Sequence, residues 1–385
     1  MKKSLVALAV LAATGAFAQS SVTLSGTIKA GVAATNYSGA VNPLANGSST
    51  SVSDGSSRFA LRGTEDLGGG LRANFQIETR FRADEGGTTA GTAGQVGGGN
   101  TFVGLSGGFG MVQLGRLDTH YCYGVDQHGS RATALTASSC SLLGFIGNAG
   151  AAPVGGGFAT TAIATGSRLA NTIRYTTPDF SGFTAQVGYS SGLSDTSAGG
   201  TFITQMGGNT MNAQLNYANG PIKAGASFYK QRSEDRTAPV ARNDQNAYTL
   251  MGDYNFGVAT VGLTYDNSQN NLGLNGGADN TFKRTAYSIP VTVPMGAGTI
   301  LVTYTKANNV SNNGTTIADS GASMVSLGYD YALSKRTSIG ASYATINNKA
   351  NASYALYTTA ALNGTPANAA GQKANQFYVG VRHAF

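Results

Sequence analysis

The sequence of 385 residues lacks tryptophan and has only two cysteines, three histidines and 11% charged residues. Beyond its amino-terminal segment it has no apolar run long enough to cross a bilayer as a helix, and no heptad or amphipathic-helix periodicity is evident. It has instead 55 glycines, 18 tyrosines and 16 phenylalanines, with frequent segments that alternate between apolar and polar residues. This composition indicates many short strands with aromatic belts rather than a disordered glycine-rich chain.

The amino end predicts export. Lys2 and Lys3 precede an apolar run from Leu5 to Ala13, and Ala16-Phe17-Ala18 supplies the small residues of a signal-peptidase site. A membrane anchor is the alternative, but the run is too short to cross about 30 Å of hydrocarbon. We therefore expect cleavage of residues 1–18, which leaves 367 of 385 residues and lowers the formal charge from +7 to +5 because two lysines are lost. The remaining chain can enter a membrane only as a closed barrel, in which every strand edge is paired.

Period-two alternation predicts about sixteen strands, the first over Val22–Val32 and the third over Leu71–Arg82. The last segment is typical, because Phe377, Val379 and Phe385 share one face while polar residues occupy the other. The same alternation would also suit a strand of a soluble sandwich. The strand pattern alone therefore leaves both architectures open.

The lengths of the connections favour the membrane barrel. Short turns at sites such as Gly68–Gly70 and Phe256–Gly257 alternate with long polar loops, as between Ala33 and Ser57 or between Asp118 and Arg168. Tight turns on one side and long loops on the other match the two sides of a bacterial outer-membrane barrel. We expect residues 19–385 to form one transmembrane antiparallel β-barrel domain, because a barrel of this size is a single cooperative sheet.

Several motifs, in order along the chain, resemble those of the Gram-negative general porins of beta-proteobacteria. They are Val22–Gly26, Ser57–Leu71, Phe102–Gly107 with Leu114–Arg116, Ile173–Tyr175 and Gly380–Phe385. The resemblance implies a homotrimeric, sixteen-stranded diffusion pore of the bacterial outer membrane whose third long loop, residues 118–168, folds inside and narrows the channel. It further implies that Phe385 serves as a signal to the barrel assembly machinery, and that membrane lipid and lipopolysaccharide are partners.

Side-chain parity predicts which residues line the lumen. Arg58 and Arg62 alternate with the apolar Phe59 and Leu61, so charge lies on one face only. The predicted pore-lining residues are Arg58, Arg62, Arg72, Glu78, Arg80, Arg82 and Arg174, with Lys29, Lys223 and Arg382 as further basic candidates. Fixed arginines create a positive field in a narrow channel, so we expect a preference for small anions such as carboxylates, phosphate and chloride.

An alternative is that these arginines form a cross-strand ladder with Glu78, Glu65 and Asp66 that only stiffens the wall. A non-selective pore with adhesive or receptor loops is another alternative. The chain departs from the resemblance at Gly98-Gly99-Asn100, which stands where a basic residue is suggested, and this departure bears on the strength of the expected anion preference.

The third long loop contains Asp118, Asp126 and Arg131, which the resemblance brings toward the basic wall as constriction residues. Both cysteines, Cys122 and Cys140, lie in this loop, and the oxidising periplasm favours a disulfide between them over two free thiols. Metal binding with His120 or His128 is the alternative, but neither cysteine–histidine pair has a known ligand spacing.

An enzyme is disfavoured, because the sequence has no nucleophile motif such as Gly-x-Ser-x-Gly in a strand-to-helix setting. An outer-membrane hydrolase remains the alternative, since catalytic triads are defined by geometry. We expect no cofactor and no metal site. We also expect no nucleic-acid partner, because the basic residues are dispersed by strand parity and the signal peptide exports the chain.

Overall fold

A computed structural model describes residues 21–86, 96–118, 130–143, 168–191, 206–235, 240–274, 280–356 and 369–385. Within these ranges, no helix is both long and apolar enough to cross a membrane. The described residues form nineteen strands: β1 (Ser21–Ser38), β2 (Gly47–Asp54), β3 (Arg58–Gly68), β4 (Leu71–Arg80), β5 (Thr101–Gly107), β6 (Gly110–Asp118), β7 (Arg168–Thr176), β8 (Phe183–Ser191), β9 (Met206–Asn219), β10 (Ile222–Asp235), β11 (Val240–Asn255), β12 (Thr260–Leu274), β13 (Asn280–Met295), β14 (Gly298–Ala307), β15 (Ser311–Asn312), β16 (Thr315–Thr316), β17 (Ala322–Ala332), β18 (Thr337–Asn348) and β19 (Lys373–Ala384).

Sixteen of these strands form one closed antiparallel barrel. Each pairs with its sequence neighbours, and β19 returns to β1 over a register from Thr27 opposite Ala384 to Ser38 opposite Lys373. The other three are local additions: β2 pairs with the outer half of β1, and β15 with β16 forms a small hairpin between β14 and β17. Closure satisfies the backbone hydrogen bonds of both terminal strands. The predicted sixteen-stranded barrel is confirmed.

The carboxyl-terminal strand closes the barrel as its alternation predicts. Val379 is 49% exposed on the outer surface, whereas Tyr378 on the opposite parity is buried inside. Phe385 and Gly26 exchange backbone hydrogen bonds of 2.9 and 3.1 Å, and the Phe385 ring lies over the bare Cα of Gly26, where a Cβ would approach it to 2.5 Å. The final aromatic residue is thus fixed to the first strand.

The connections differ in length at the two ends of the barrel. At the turn end, two residues join β3 to β4 and two join β5 to β6, while at the loop end the connections carry the long segments. Three expectations at the loop end are wrong. β1 continues to Ser38, and β2 fills much of the loop expected between Ala33 and Ser57. Alternation predicts a strand over Gln245–Asn255 and another over Val258–Asn267, but β11 begins at Val240 and β12 continues to Leu274.

These extensions have a common physical cause. Beyond the hydrocarbon region both faces of a strand contact water or other polar groups, so the strand continues without apolar alternation. The sequence pattern therefore disappears before the strand ends. The reverse error occurs on the predicted third strand, because β4 ends at Arg80 rather than at Arg82.

The third long loop folds into the barrel. Its described part, residues 130–143, contains the 3₁₀ turns Leu135–Ala137 and Ser139–Ser141 and packs against β13, β14, β17, β18, β19 and β1. The Ala132 N–H donates to Asp330 Oδ1 at 2.6 Å, and the Ala134 N–H donates to Ser342 Oγ at 3.0 Å.

The wall beneath this loop is shaped to receive it. A Cβ on Gly340 of β18 would lie 2.7 Å from the loop backbone, so the loop rests directly against that glycine. Leu142 and Leu143 enter an apolar cluster with Met324, Ile346 and other wall residues. The expected inward course of the third loop is confirmed for its described part, residues 130–143.

Candidate pore constriction

The inner face of β3 and β4, which the described part of the inner loop does not contact, carries a pair of arginines. Arg58 at the start of β3 and Arg80 at the end of β4 are register partners. Their Cα atoms are therefore within about 5.5 Å of each other. Both side chains are partly buried on the inner surface, since Phe59 and Leu61 on the alternate parity are exposed on the outer one. The sequence analysis named both arginines as pore-lining residues, and that role stays a prediction.

One carboxylate accompanies this pair. Glu78 is buried, and its Oε1 accepts from Arg80 Nε at 3.0 Å. Its carboxyl group fits against Gly99, where a Cβ would come within 2.6 Å of the Glu78 Cδ atom. The side chains that act electrostatically on Arg58 are Arg80, Arg382, Glu78 and Asp118. Three guanidinium groups, counting Arg58 itself, thus stand against two carboxylates, which leaves the patch positive.

The positive patch continues around the barrel through β1 and β19. Lys29 and Arg382 are register partners on these two strands, and both have inward parity. Lys29 is only 2% exposed, and its stem crosses Gly55, where a Cβ would meet Cδ at 2.5 Å. Lys223 differs, because Asp253 is its register partner on β11 and opposes its charge.

Two more of the predicted arginines are held by neutral acceptors. Arg62 donates to Gln76 Oε1 at 2.8 Å and to Ser25 Oγ at 2.5 Å. Arg174 donates through Nε and Nη2 to Gln113 Oε1 at 2.9 and 2.7 Å, and through Nη1 to a backbone carbonyl. Amide and carbonyl acceptors fix a guanidinium without cancelling its charge. Arg72 stands opposite Asp66 near the turn end.

Asp118 and Asn100 form a reciprocal pair at the start of the third loop. The Asn100 Nδ2 donates to Asp118 Oδ2 at 2.6 Å, and the Asp118 N–H donates to Asn100 Oδ1 at 2.7 Å. Asn100 is the residue that stands near the basic position suggested by the resemblance. In this chain Asn100 is neutral and adds no cation at this position. It holds the carboxylate of Asp118 in place beside Arg58.

The remaining predicted residues are dispersed. Arg82 lies beyond the end of β4 and forms an ion pair with Glu85, and Arg131 on the inner loop donates to Thr299 Oγ1 at 3.4 Å. Cys140 is buried and disulfide-bonded. Asp126 and Cys122, together with His120 and His128, lie outside the described residues, so their predicted roles stay predictions.

A buried ion pair that the sequence reasoning did not single out anchors the inner loop. Arg284 of β13 and Asp266 of β12 are 2.7 Å apart, with side chains 0% and 2% exposed. Arg284 also donates to the Leu142 carbonyl of the loop, and its guanidinium lies 5.9 Å from the centroid of the Tyr354 ring. Inward parity on β13 would have indicated Arg284, but parity gives no sign that a loop covers it.

A closed sixteen-stranded barrel with an inner loop and a charged wall defines the class of outer-membrane porins. Comparison with known proteins is consistent with that class. The profile of the Gram-negative porin family matches residues 4–351. The chain is 32% identical over 388 residues to outer membrane porin protein 32 of Delftia acidovorans, with all of both chains covered. It is 29% identical over 394 residues to an outer membrane porin of Bordetella pertussis, covering 88% of this chain and 92% of that one.

Among solved structures, an anion-selective porin from Comamonas acidovorans superposes with a TM-score of 0.73 at 29% identity, covering 95% of this chain and all of that one. A trimeric form of an outer membrane protein of Vibrio cholerae, at 16% identity and a TM-score of 0.60, shares the fold, with 95% and 99% of the chains covered. The chain belongs to the Gram-negative porin family. It is a diffusion channel of the bacterial outer membrane and not an enzyme.

Proposed function

We propose that this porin favours small anions, namely carboxylates, phosphate and chloride. The observation that carries the proposal is the pair of register partners Arg58 and Arg80 on the inner face of β3 and β4, of which Arg80 is paired with the Glu78 carboxylate. Arginine stays protonated at any workable pH, and a narrow channel concentrates its field on passing ions. Arg62 adds to this positive surface, and its side-chain acceptors, Gln76 and Ser25, are neutral.

Two further observations bear on the strength of the preference. The similar porin of Comamonas acidovorans is described as anion-selective, which supports the same sign for this chain. The carboxylate of Asp118 opposes the preference, because Asn100 holds this negative charge beside the arginines. We therefore propose a moderate preference for anions. Reversal potential in a KCl gradient across a planar bilayer tests the sign, and a cation-selective result would end the proposal.

The inner loop is proposed as the constriction, with Asp118, Asp126 and Arg131 facing the basic wall. A Cys122–Cys140 disulfide would restrict the open loop and contribute about 3 kcal/mol. The disulfide-bonded state of Cys140 supports this pairing, since the chain has only two cysteines. Alkylation under denaturing, non-reducing conditions should label neither cysteine, and two labelled thiols would contradict the pairing.

For maturation and assembly, we propose cleavage after Ala18, a single barrel domain over residues 19–385, and a homotrimer inserted by the barrel assembly machinery. The hydrogen-bonded fixation of Phe385 to Gly26 is consistent with a terminal residue that completes closure. Intact mass should place the mature amino terminus at Gln19. An unheated detergent gel should show a species near three subunits, and a species near one subunit would contradict the trimer.

A further inference from the structure

An acid that the sequence reasoning did not single out stands just before the arginine pair. Asp54 is the last residue of β2, and three residues separate it from Arg58, the first residue of β3. Among the ion pairs of the described residues, none includes Asp54. Asp54 is also not one of the side chains that act electrostatically on Arg58. The partners of its carboxylate are instead backbone N–H groups.

The Asp54 carboxylate closes the bend between β2 and β3. Its Oδ2 accepts from the Ser56 N–H at 2.7 Å and from the Ser57 N–H at 3.1 Å, and its Oδ1 lies 3.2 Å from the Ser57 nitrogen. Ser56 has a φ of 79°, a left-handed conformation that a residue other than glycine adopts only at a cost in free energy. An aspartate side chain that bonds the backbone two residues on holds a bend of this kind.

The same carboxylate also bonds the segment that follows the second arginine of the pair. The Ala83 N–H, three residues after Arg80, donates to Asp54 Oδ1 at 3.3 Å. Between this contact and the arginine pair lies one backbone bond, in which the Phe81 N–H donates to the Ser57 carbonyl at 3.1 Å. Asp54 therefore holds, from the loop end, both of the chain segments that carry the paired arginines.

The other side of the bend is fixed to β1. The Lys29 N–H donates to Ser57 Oγ at 3.0 Å, and the Gly55 N–H donates to the Lys29 carbonyl at 2.7 Å. A Cβ on Gly55 would meet the Lys29 stem, so the bend lies directly against this lysine. Ser56 and Ser57 are both buried. Loss of their acceptor would leave buried N–H donors unpaired, which is costly, so the bend would have to rearrange.

We infer that Asp54 is a positioning residue of the pore, because its carboxylate fixes the bend from which Arg58 enters the wall and so sets where the Arg58 guanidinium stands relative to passing ions. The inference rests on the proposed anion preference and assigns to it a residue that acts through Arg58. It gives Asp54 an effect opposite in sign to that of its own charge. Removal of an acid near a positive wall raises the attraction of anions or leaves it unchanged, whereas release of Arg58 lowers it.

The test compares two variants of the full-length protein with equal loss of charge. Asp54→Asn keeps a side-chain oxygen that accepts from the bend, and Asp54→Ala removes the acceptor altogether. The reversal potential in a KCl gradient across a planar bilayer gives the permeability ratio of chloride to potassium for the unaltered protein and for each variant. The double variant Asp54→Ala/Arg58→Gln reports whether the effect of Asp54 passes through Arg58. Single-channel conductance reports correct folding of every variant.

We expect Asp54→Ala to lower the ratio about twofold, since a guanidinium released from about 6 Å to about 9 Å from the ion path loses about half of its screened interaction in about 0.1 M salt. Asp54→Asn should leave the ratio unchanged or slightly raised. In the Arg58→Gln background, Asp54→Ala should have no further effect. An equal shift in Asp54→Asn and Asp54→Ala, a rise in Asp54→Ala, or a full additional fall in the double variant would overturn the inference.

A third variant covers the case in which Asp54→Ala does not fold. Asp54→Ser removes the charge but keeps a weaker hydroxyl acceptor, so its ratio should lie between those of the other two variants, and a ratio equal to that of Asp54→Asn would contradict the inference.

The direction of these shifts is independent of the selectivity of the unaltered pore. A cation-selective unaltered protein in which Asp54→Ala still lowers the ratio would contradict the anion preference alone. An anion-selective protein in which Asp54→Asn and Asp54→Ala behave alike would contradict the positioning role alone.

Discussion

Replacing Arg58 with glutamine isolates the contribution of one charge to ion selectivity. Arg58 faces Arg80 across β3 and β4, so the change removes one of two like charges and leaves the Arg80–Glu78 ion pair in place. An ion that passes about 6 Å from the guanidinium in water gains about 0.7 kcal/mol, and screening in about 0.1 M salt reduces this to about 0.4 kcal/mol. The sign reverses for a cation, so the permeability ratio of chloride to potassium should fall about fourfold.

The assay is the reversal potential of purified protein in a planar bilayer with a KCl gradient, for the unaltered chain, Arg58→Gln and the control Arg336→Gln. Arg336 lies exposed in the turn before β18, outside the constriction, so its replacement should leave the ratio unchanged. The reasoning is refuted if Arg58→Gln shifts the ratio no more than the control does. A higher salt concentration should shrink the effect, because the Debye length falls to about 3 Å at 1 M.

Two further variants test how the inner loop is held. Arg284→Met leaves the buried Asp266 without its ion-pair partner, so it should destabilise the protein by about 3 kcal/mol and give larger and noisier single-channel conductance. The double variant Arg284→Met/Asp266→Leu should recover the stability. If it does not, the role of Arg284 in charge compensation is contradicted. Gly340→Leu places a side chain where the loop backbone rests, so it should displace the loop and raise conductance, whereas Gly47→Leu, at a glycine with open space around it, should leave conductance unchanged.

The sequence predicts the lumen well where the membrane imposes a pattern. Lipid on one side and water on the other force the alternation of Phe59 and Leu61 with Arg58 and Arg62, so parity alone places these arginines. The same rule places Lys29 inside, though it does not show that the lysine is buried over Gly55. The direction of a side chain follows from having lipid on one face of the strand and water on the other. How deeply the side chain is buried depends on residues of neighbouring strands and loops.

Where that pattern ends, prediction fails for a physical reason. The residues of β2 are almost all serine, threonine and glycine, and they pair with β1 in a region where polar groups are accommodated on both faces. On β13 the strand continues through Pro290 to Met295 although proline cannot donate to a ladder, and the pairing of β12 with β13 skips the residues between Val261 and Thr264.

Under the proposed anion preference, the burial of an arginine, and not only its presence on the inward face, decides whether its charge acts on ions. Arg284 and Arg58 both have inward parity, so sequence treats them alike. The inner loop covers Arg284, where Asp266 neutralises it and the Leu142 carbonyl accepts from it, so its charge acts on the position of the loop. Arg58 is only partly buried, and its register partner across the strand pair is Arg80. Under the proposed anion preference, Arg58 therefore acts on passing ions, whereas Arg284 acts on the position of the loop.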